Sequence, residues 1–314
     1  MALLRRSVFL IAVFLTLSVG PFRASDSRAD TVPFVSGAEV SVNGSAGPGQ
    51  VYSFGQSVQL LLGNSEDHSN HSGDIHFKST RQFSPEDPTA TTSGIKHADS
   101  LVGGFSIDLW KDIFVGLELD SLQDDFAQVN ADGAKIMVGV DPVHFSYRHG
   151  RTVIRTPFQV AQAAPKPPRD FDGAFIYQDT FTLDASMDIT RIDSLGLEVS
   201  YSLFHPDAKN FSSIPLLNQA NLGTLGNFKD SLENFESASV TPNWRHHFGK
   251  SWDSNVSFNF AHLILIGNNL FESTVEVCWK VSKTLRLQLG WDYTHSSIEH
   301  QNLATFEVKY NWDR

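Results

Sequence analysis

Two neighbouring segments, Phe181 to Ile189 and Leu195 to Leu203, alternate apolar residues with small, hydroxylated or acidic residues. A strict period of two is typical of a β-strand with one apolar and one polar face. The pattern recurs to the end of the chain in runs of about nine to eleven residues, the length that a tilted strand needs to cross a bilayer. A soluble β-sandwich has similar alternation, but sheet faces this apolar would aggregate in water. The pattern therefore predicts an all-β fold, a transmembrane antiparallel β-barrel.

The order of these runs predicts an even number of strands. Short and long connections alternate along the chain, as in barrels whose short turns all lie on one side of the membrane. Two weaker segments, Phe34 to Asn43 and Asp74 to Gln82, raise the count to fourteen when both are added, and the alternation is kept. We take twelve as the main prediction and fourteen as the alternative. The twelve predicted strands are Val51 to Leu62, Leu101 to Leu109, Ile113 to Leu122, Ala134 to Val140, Val143 to His149, Ala174 to Ile189, Leu195 to Phe204, Ser237 to Arg245, Trp252 to His262, Leu270 to Val281, Leu285 to Thr294 and Leu303 to Trp312.

The start of the chain has the layout of a secretory signal. Two arginines precede an apolar stretch, Ser7 to Gly20, and a small-x-small exit ends at Ala29. We expect residues 1–29 to be removed, residues 30–50 to form a periplasmic N-terminal segment and residues 51–314 to form the barrel. This organisation predicts Sec export and a place in the outer membrane of a Gram-negative-type bacterium.

Charge and cysteine content exclude several classes of protein. Removing residues 1–29 takes away four arginines and one aspartate, so the formal charge moves from −11 to about −14. An acidic exported chain is a poor candidate for binding nucleic acid. The single cysteine, Cys278, excludes an internal disulfide, and no motif for a bound cofactor occurs.

Aromatic residues mark the expected membrane boundary and the closing strand. All five tryptophans of the predicted strands fall on the apolar side, mostly beside turns, where such rings suit the lipid headgroups: Trp244, Trp252, Trp279, Trp291 and Trp312. The last strand has Phe306, Val308, Tyr310 and Trp312 on one face, and it resembles the closing strand of bacterial outer-membrane proteins, although Asp313 and Arg314 follow its final aromatic residue. The resemblance implies the barrel-assembly machinery as a partner, and the apolar strand faces predict contact with outer-membrane lipid.

The polar side of each strand predicts a charged lumen. Acids outnumber bases there, which favours either a water-filled path that prefers cations or a closed interior of paired side chains. A barrel of this width allows both arrangements. The lumen-lining candidates are Asp108, Glu118, Asp120, Asp184, Asp188, Glu198, Arg245, Glu276, Lys280 and Arg286.

One predicted external loop, residues 150–173, is basic and rich in proline. Its segments Gly150 to Pro157 and Arg169 to Gly173 resemble a stretch of the OprD-type substrate-specific porins. That resemblance implies a basic track at the narrowest point of the pore. The candidates for a pore constriction are Arg148, Arg151, Arg155 and Arg169. Alternatively, these arginines contact lipopolysaccharide phosphates at the outer rim.

These features predict a channel for passive diffusion of small hydrophilic solutes rather than an enzyme. The first alternative is a lipid-modifying enzyme, a phospholipase or lipid A deacylase, because His144 and Ser146 share one face of a strand. That face is the lumen side. The second alternative is a structural or adhesion barrel with long external loops. Three histidines of the predicted loop 63–100, His68, His71 and His76, have donors suited to a transition metal, but a loop does not fix their geometry.

Overall fold

The computed structural model describes residues 34–47, 51–64, 67–83, 97–110, 113–124, 129–154, 174–205, 236–263, 268–296 and 300–313. Fourteen strands occupy these ranges. Within the same ranges no helix is long and apolar enough to cross a membrane. The strands are β1 (Phe34–Gly47), β2 (Val51–Asn64), β3 (Asp67–Phe83), β4 (His97–Trp110), β5 (Ile113–Asp124), β6 (Val129–Val140), β7 (Val143–Ile154), β8 (Ala174–Asp188), β9 (Asp193–His205), β10 (Glu236–Phe248), β11 (Trp252–Leu263), β12 (Asn268–Lys280), β13 (Leu285–Ser296) and β14 (His300–Asp313).

Every strand pairs antiparallel with its sequence neighbours, and β1 pairs with β14 to close a barrel. Closure extends from Gly37 opposite Asp313 to Ala46 opposite Ala304. The prediction of a closed antiparallel barrel is therefore confirmed, and the count is fourteen rather than twelve. The predicted division at residue 51 is wrong, because the barrel includes Phe34–Gly47 as β1. The predicted loop 63–100 is also wrong, because β3 lies within it.

The two strands that were predicted only weakly have poor apolar alternation. Glycine, serine and alanine occupy much of β1, and the first half of β3 consists of polar residues. Their pairing is decided by closure of the barrel, because an open edge would leave backbone groups unsatisfied within a membrane. A single-sequence pattern does not contain that long-range requirement.

The outer surface of the barrel is apolar along the middle of the strands. On β9 the exposed side chains are Leu195, Leu197, Val199, Tyr201 and Leu203, as the alternation predicts. Trp244, Trp252, Trp279, Trp291 and Trp312 are also all exposed, and the rings of Trp252 and Trp279 stack at 5.5 Å beside two short turns. Such a surface is stable in contact with hydrocarbon and would aggregate in water.

Polar contacts border this apolar band at both ends of the barrel. We call the end with the turns 141–142, 189–192, 249–251 and 281–284 the turn end, and the opposite end the loop end. At the turn end, Asp193 accepts a hydrogen bond from Trp244 Nε1 at 3.2 Å and contacts His246 Nδ1 at 2.7 Å. At the loop end, Asp99 forms an ion pair with Arg81. The polar borders are those of a strand wall that crosses a bilayer.

The buried apolar core lies inside the barrel near the loop end. Its side chains interrupt the polar lining there, and they include Leu122, Ala131, Ile176, Leu263 and Leu270, each exposed by no more than a few per cent. Ala261, Leu263 and Leu270 of β11 and β12 form one cluster. The lumen is therefore polar toward the middle, and near the loop end it has both apolar side chains and buried polar ones such as Asp124 and Gln178.

Candidate functional site in the barrel interior

One side of the interior carries a row of alternating charges. In the register, Glu118 of β5 lies opposite Lys135 of β6, which lies opposite Arg148 of β7. Lys135 Nζ lies 3.6 Å from Glu118 Oε1. Arg148 binds Asp120 with both arms of its guanidinium group, Nε donating to Oδ1 at 2.9 Å and Nη2 donating to Oδ2 at 2.5 Å. Opposite charges thus lie within reach of one another across three strands.

His76 of β3 extends this row of charges. Its Nδ1 atom lies 2.9 Å from Asp74 Oδ1, and its Nε2 atom lies 3.4 Å from Glu118 Oε2. Ser106 of β4 donates a hydrogen bond to Asp74 at 2.7 Å. Polar side chains of β3 to β6 therefore form one connected group, and the Arg148 and Asp120 pair lies beside it in the register. We call the two together the ion-pair wall, and its residues are Asp74, His76, Glu118, Asp120, Lys135 and Arg148.

Two glycines make room for the Arg148 guanidinium group against the barrel wall. Gly133 of β6 and Gly150 of β7 are register partners. A Cβ atom at Gly133 would lie 2.6 Å from Arg148 Nη2, and one at Gly150 would also collide with the guanidinium group. Glycine permits this approach because it has no side chain. Arg148 is therefore held along the wall, and we call Gly133 and Gly150 the glycine seat.

The opposite side of the interior is lined mainly by hydroxyl groups. Ser200 and Ser239 share a hydrogen bond of 2.7 Å, and Thr180 and Ser202 share one of 2.9 Å. Hydroxyl, amide and carboxylate side chains of β8 to β12 line a cavity of about 300 Å³. We call this surface the hydroxyl wall, and its central residues are Thr180, Glu198, Ser200, Ser239, Asn259 and Glu272.

Bases and acids also meet near the turn end of β11 to β14. Lys280 Nζ lies 2.9 Å from Asp253 Oδ2. Glu276 accepts hydrogen bonds from Gln288 at 2.8 Å and from Asn255 at 3.2 Å. Arg286 lies between Lys280 and Lys309 in the register. The sequence-predicted residues Glu276, Lys280 and Arg286 are thus brought together in one region of the interior.

Four further lumen candidates lie nearer the turn end and are less enclosed. Asp184 lies 3.8 Å from His144 Nδ1. Asp108, Asp188 and Arg245 have exposed side chains. These residues share the inward parity of their strands, but the structure does not gather them into one cluster.

The four constriction candidates have different surroundings. Arg148 faces inward and binds Asp120, whereas Arg151 has the opposite parity on β7 and lies 3.0 Å from Asp132 on the outer face. The expectation that residues 150–154 belong to the external loop is wrong, because β7 continues to Ile154. Strand pairing with β8 extends the regular backbone that far. Arg155 and Arg169 lie outside the described residues.

Two of the histidines singled out in the sequence, His76 and His144, have described surroundings, and neither belongs to a group typical of a metal or hydrolase site. The prediction that His68, His71 and His76 lie in a loop is wrong, because all three belong to β3. In the described parts of the chain, no three His, Cys, Asp or Glu side chains are grouped to hold a metal ion. His144 packs edge-on against Phe114 at 4.8 Å, on the inner face that Ser146 shares, away from lipid.

Water reaches the charged side chains in the middle of the barrel. Lys135 keeps 32% of its side-chain surface accessible, and Glu118 keeps 21%. The exposed side chain of Glu198 belongs to the cavity of the hydroxyl wall. A lumen of this kind can hydrate an ion or a small polar solute and can offer it hydrogen-bond partners from two chemically different walls.

Comparison with known proteins adds a likeness in fold. No protein-family profile and no curated protein matches the chain. Among solved structures, the KdgM porin matches over 87% of this chain and 98% of its own, with a TM-score of 0.42 and 8% identity. The CymD monoaromatic hydrocarbon channel matches over 88% of each chain, with a TM-score of 0.47 and 6% identity. OccAB1 of Acinetobacter baumannii matches over 91% of this chain and 99% of its own, with a TM-score of 0.44 and 9% identity.

These three matches have TM-scores below 0.5, so the closed antiparallel barrel is assigned from the strand pairing of this chain itself. At such low identity the likeness extends to the barrel and no further. The side chains of this chain alone therefore indicate what its lumen can bind.

Sequence reasoning missed two parts of the interior, the cavity of the hydroxyl wall and the glycine seat. Serine and threonine are expected on any polar strand face and give no charge signal. A usable signal exists in retrospect, since inward positions of five consecutive strands, β8 to β12, are rich in serine and threonine. The glycine seat required knowledge of the register, because Gly133 becomes a neighbour of Arg148 only through the pairing of β6 with β7.

Proposed function

We propose that this chain is an outer-membrane channel through which small hydrophilic solutes diffuse passively. The observation that carries the proposal is a closed barrel with an apolar exterior and a water-accessible polar interior at mid-height. Hydrocarbon stabilises such an exterior, and a hydrated path accounts for charged side chains that keep contact with solvent at that depth.

The proposal includes the cellular setting expected from the sequence. Residues 1–29 direct export and are removed, the turn end faces the periplasm, and the loop end faces outward, as is usual for barrels with short periplasmic turns. Lipopolysaccharide and the barrel-assembly machinery are the proposed partners in the envelope. Arg148, Arg155 and Arg169 remain proposed constriction residues, whereas the outward parity of Arg151 removes it from the proposed set.

The excess of lumen carboxylates gives the proposed channel a preference for cations. Inward carboxylates occur on both walls, while the bases Lys135, Arg148 and Lys280 each lie beside an acid. A ring or wall of carboxylates lowers the barrier for positive solutes. We therefore expect small cations to pass more readily than anions of similar size.

Single-channel recording in planar bilayers tests the proposal. We expect the refolded mature barrel to give stepwise currents whose reversal potential in a KCl gradient shows cation preference. A bulky substitution on the inner face, Ser200→Trp, should reduce the conductance because Ser200 lines the cavity of the hydroxyl wall. The matched substitution on the adjacent outward position, Val199→Trp, should leave it unchanged.

A separate test of folding distinguishes a blocked channel from a misfolded protein. Folded barrels retain a heat-dependent shift in electrophoretic mobility, and both variants should show it. A folded wild-type protein that carries no current would overturn the channel proposal, as would equal conductance of the two tryptophan variants and the wild type.

A further inference from the structure

The cavity of the hydroxyl wall has a uniform and specific lining. Its volume is about 300 Å³, and every lining residue is Ser, Thr, Asn or Glu. Ligand pockets begin at about this volume, which suits a molecule of monosaccharide size. No Lys, Arg or His belongs to the lining among the described residues. The cavity therefore offers hydroxyl, amide and carboxylate groups without a positive charge.

Hydrogen bonds between strands hold these groups in place. Thr241 donates to Asn259 at 3.2 Å, and Asn259 donates to Glu272 at 3.1 Å. A hydroxyl group has one donor and two acceptor lone pairs, so a single bond to a neighbour leaves further hydrogen-bonding capacity. The lining is thus ordered before any solute arrives, and it can still bond to the hydroxyl groups of a solute.

A buried acceptor beside the cavity lacks a hydrogen-bond donor. Gln178 is 3% exposed, and its Nε2 atom donates to Ser202, a lining residue, at 3.0 Å. Its Oε1 atom has no hydrogen-bond partner within the described part of the chain. Buried amide oxygens are ordinarily satisfied by protein or water. The Gln178 amide thus holds Ser202 in place at the side of the cavity nearest the loop end.

Carboxylates also face one another at the other side of the cavity. Glu198 of β9 lies directly opposite Asp184 of β8 in the register, and Asp184 has His144 at 3.8 Å on its other side. Like charges directly opposite each other in a sheet are unfavourable. A positive charge on a bound solute is attracted to this pair of carboxylates, and Glu198 is exposed to the lumen where the solute passes.

We infer that the cavity of the hydroxyl wall binds small cationic polyhydroxylated solutes, of the amino-sugar class, during their passage through the barrel. The inference rests on the proposed channel function and specifies which solutes it favours. The serine and threonine hydroxyls bond to the hydroxyl groups of the solute, while Glu198 and Glu272 attract its ammonium group. An anionic sugar of the same size meets no base in this lining.

Three matched monosaccharides test the inference: glucosamine, glucose and glucuronate. In planar bilayers, glucosamine should reduce the KCl current of the wild-type channel at the lowest concentration, glucose at a higher one and glucuronate least. Glu198→Gln should weaken the glucosamine effect by about two- to fivefold, the contribution of an exposed ion pair. Glu272→Gln should weaken it by at least as much, because Glu272 is buried and its charge is less screened by water. Glu276→Gln is the charge control, because Glu276 is a lumen carboxylate of β12 outside the cavity lining.

The outcomes separate this inference from the channel proposal. Open channels that show equal effects of the three sugars overturn the inference and leave the channel standing. An equal loss in Glu276→Gln and Glu198→Gln also overturns it, because total lumen charge then explains the preference. If the folded barrel carries no current, the channel proposal fails, and titration calorimetry of the detergent-solubilised protein with glucosamine decides the inference: binding that Glu198→Gln weakens supports it, and no binding overturns it.

Discussion

On the ion-pair wall each base lies beside an acid, whereas on the hydroxyl wall neutral groups satisfy one another. Arg148 binds Asp120 through two hydrogen bonds, and Lys135 lies 3.6 Å from Glu118. Ser200 and Ser239 face each other at 2.7 Å across β9 and β10. The charges of the ion-pair wall are thus paired within the wall, while the hydroxyl wall keeps hydrogen-bonding capacity for the solution in the lumen.

The two walls are therefore expected to contribute different properties, rigidity from the ion-pair wall and solute recognition from the hydroxyl wall. Charge-assisted hydrogen bonds are about twice as strong as neutral ones, so the ion-pair wall contributes rigidity to its side of the barrel. Charged side chains that are paired with an opposite charge produce only a weak electric field in the lumen. Recognition of a passing solute is then expected from the hydroxyl wall, where carboxylates accompany hydroxyls and the lining has no base among the described residues.

The largest expected effect comes from removing one member of the Arg148 and Asp120 pair. Asp120→Ala leaves the partly buried guanidinium group of Arg148 without this acceptor. We expect the free energy of unfolding to fall by about 1–3 kcal/mol. Ser200→Ala on the hydroxyl wall should cost only about 0.5–1.5 kcal/mol, the net contribution of an ordinary hydrogen bond. Urea titration of the barrel in lipid vesicles, followed by tryptophan fluorescence, measures both.

The double variant Asp120→Ala with Arg148→Ala makes the comparison sharper. Since both charges are then absent, its loss of stability should be smaller than the sum of the two single losses. Strict additivity would show that the two side chains do not interact energetically, and the contrast between the walls would disappear.

A smaller effect is expected from filling the glycine seat. Gly133→Ala places a methyl group where the guanidinium group lies, so Arg148 must turn toward the lumen axis. The loss of stability should be about 1 kcal/mol, at the low end for overpacking, because the far end of a long side chain can move. We expect the conductance to fall and the reversal potential to move toward anion preference.

Gly196→Ala provides the matched control on the other side of the barrel. Its methyl group would displace the Asn243 side chain, which is neutral. Conductance can fall in this variant, but the reversal potential should stay at the wild-type value. A shift in Gly196→Ala as large as that in Gly133→Ala would show that space alone, rather than the position of Arg148, controls ion preference.

The sequence predicts faces of strands better than contacts between them. Alternation identifies both the lipid side and the lumen side of β8 and β9, because one period of two decides them together. The partners of Arg148 and Glu118 depend on the register of three strands, and no local pattern specifies that register. The apolar side chains Leu122, Ile176 and Leu263 on the lumen side near the loop end also break the alternation. Their surroundings are determined by the closed barrel rather than by sequence neighbours.

The same limit explains the different surroundings of two nearby arginines. Arg148 and Arg151 are both basic residues at the end of a predicted strand and the start of a predicted loop. Continuation of β7 to Ile154 turns them to opposite faces, because they are an odd number of residues apart. A prediction that ended the strand at His149 could not assign a face to Arg151.

The smallest expected effect is therefore that of Arg151→Ala. Its ion pair with Asp132 is largely exposed, with 46% and 55% of the two side chains accessible, and such pairs contribute about 0–1 kcal/mol. Because the side chain lies on the outer face of the wall, we expect the reversal potential to be unchanged. Arg148→Ala should instead shift the reversal potential toward cation preference, since Asp120 then faces the lumen without its base. Recording the two variants in the same KCl gradient compares them directly. If Arg151→Ala shifts the reversal potential as much as Arg148→Ala does, Arg151 lies beside the solute path. The distinction between the inner and the outer arginine would then be wrong.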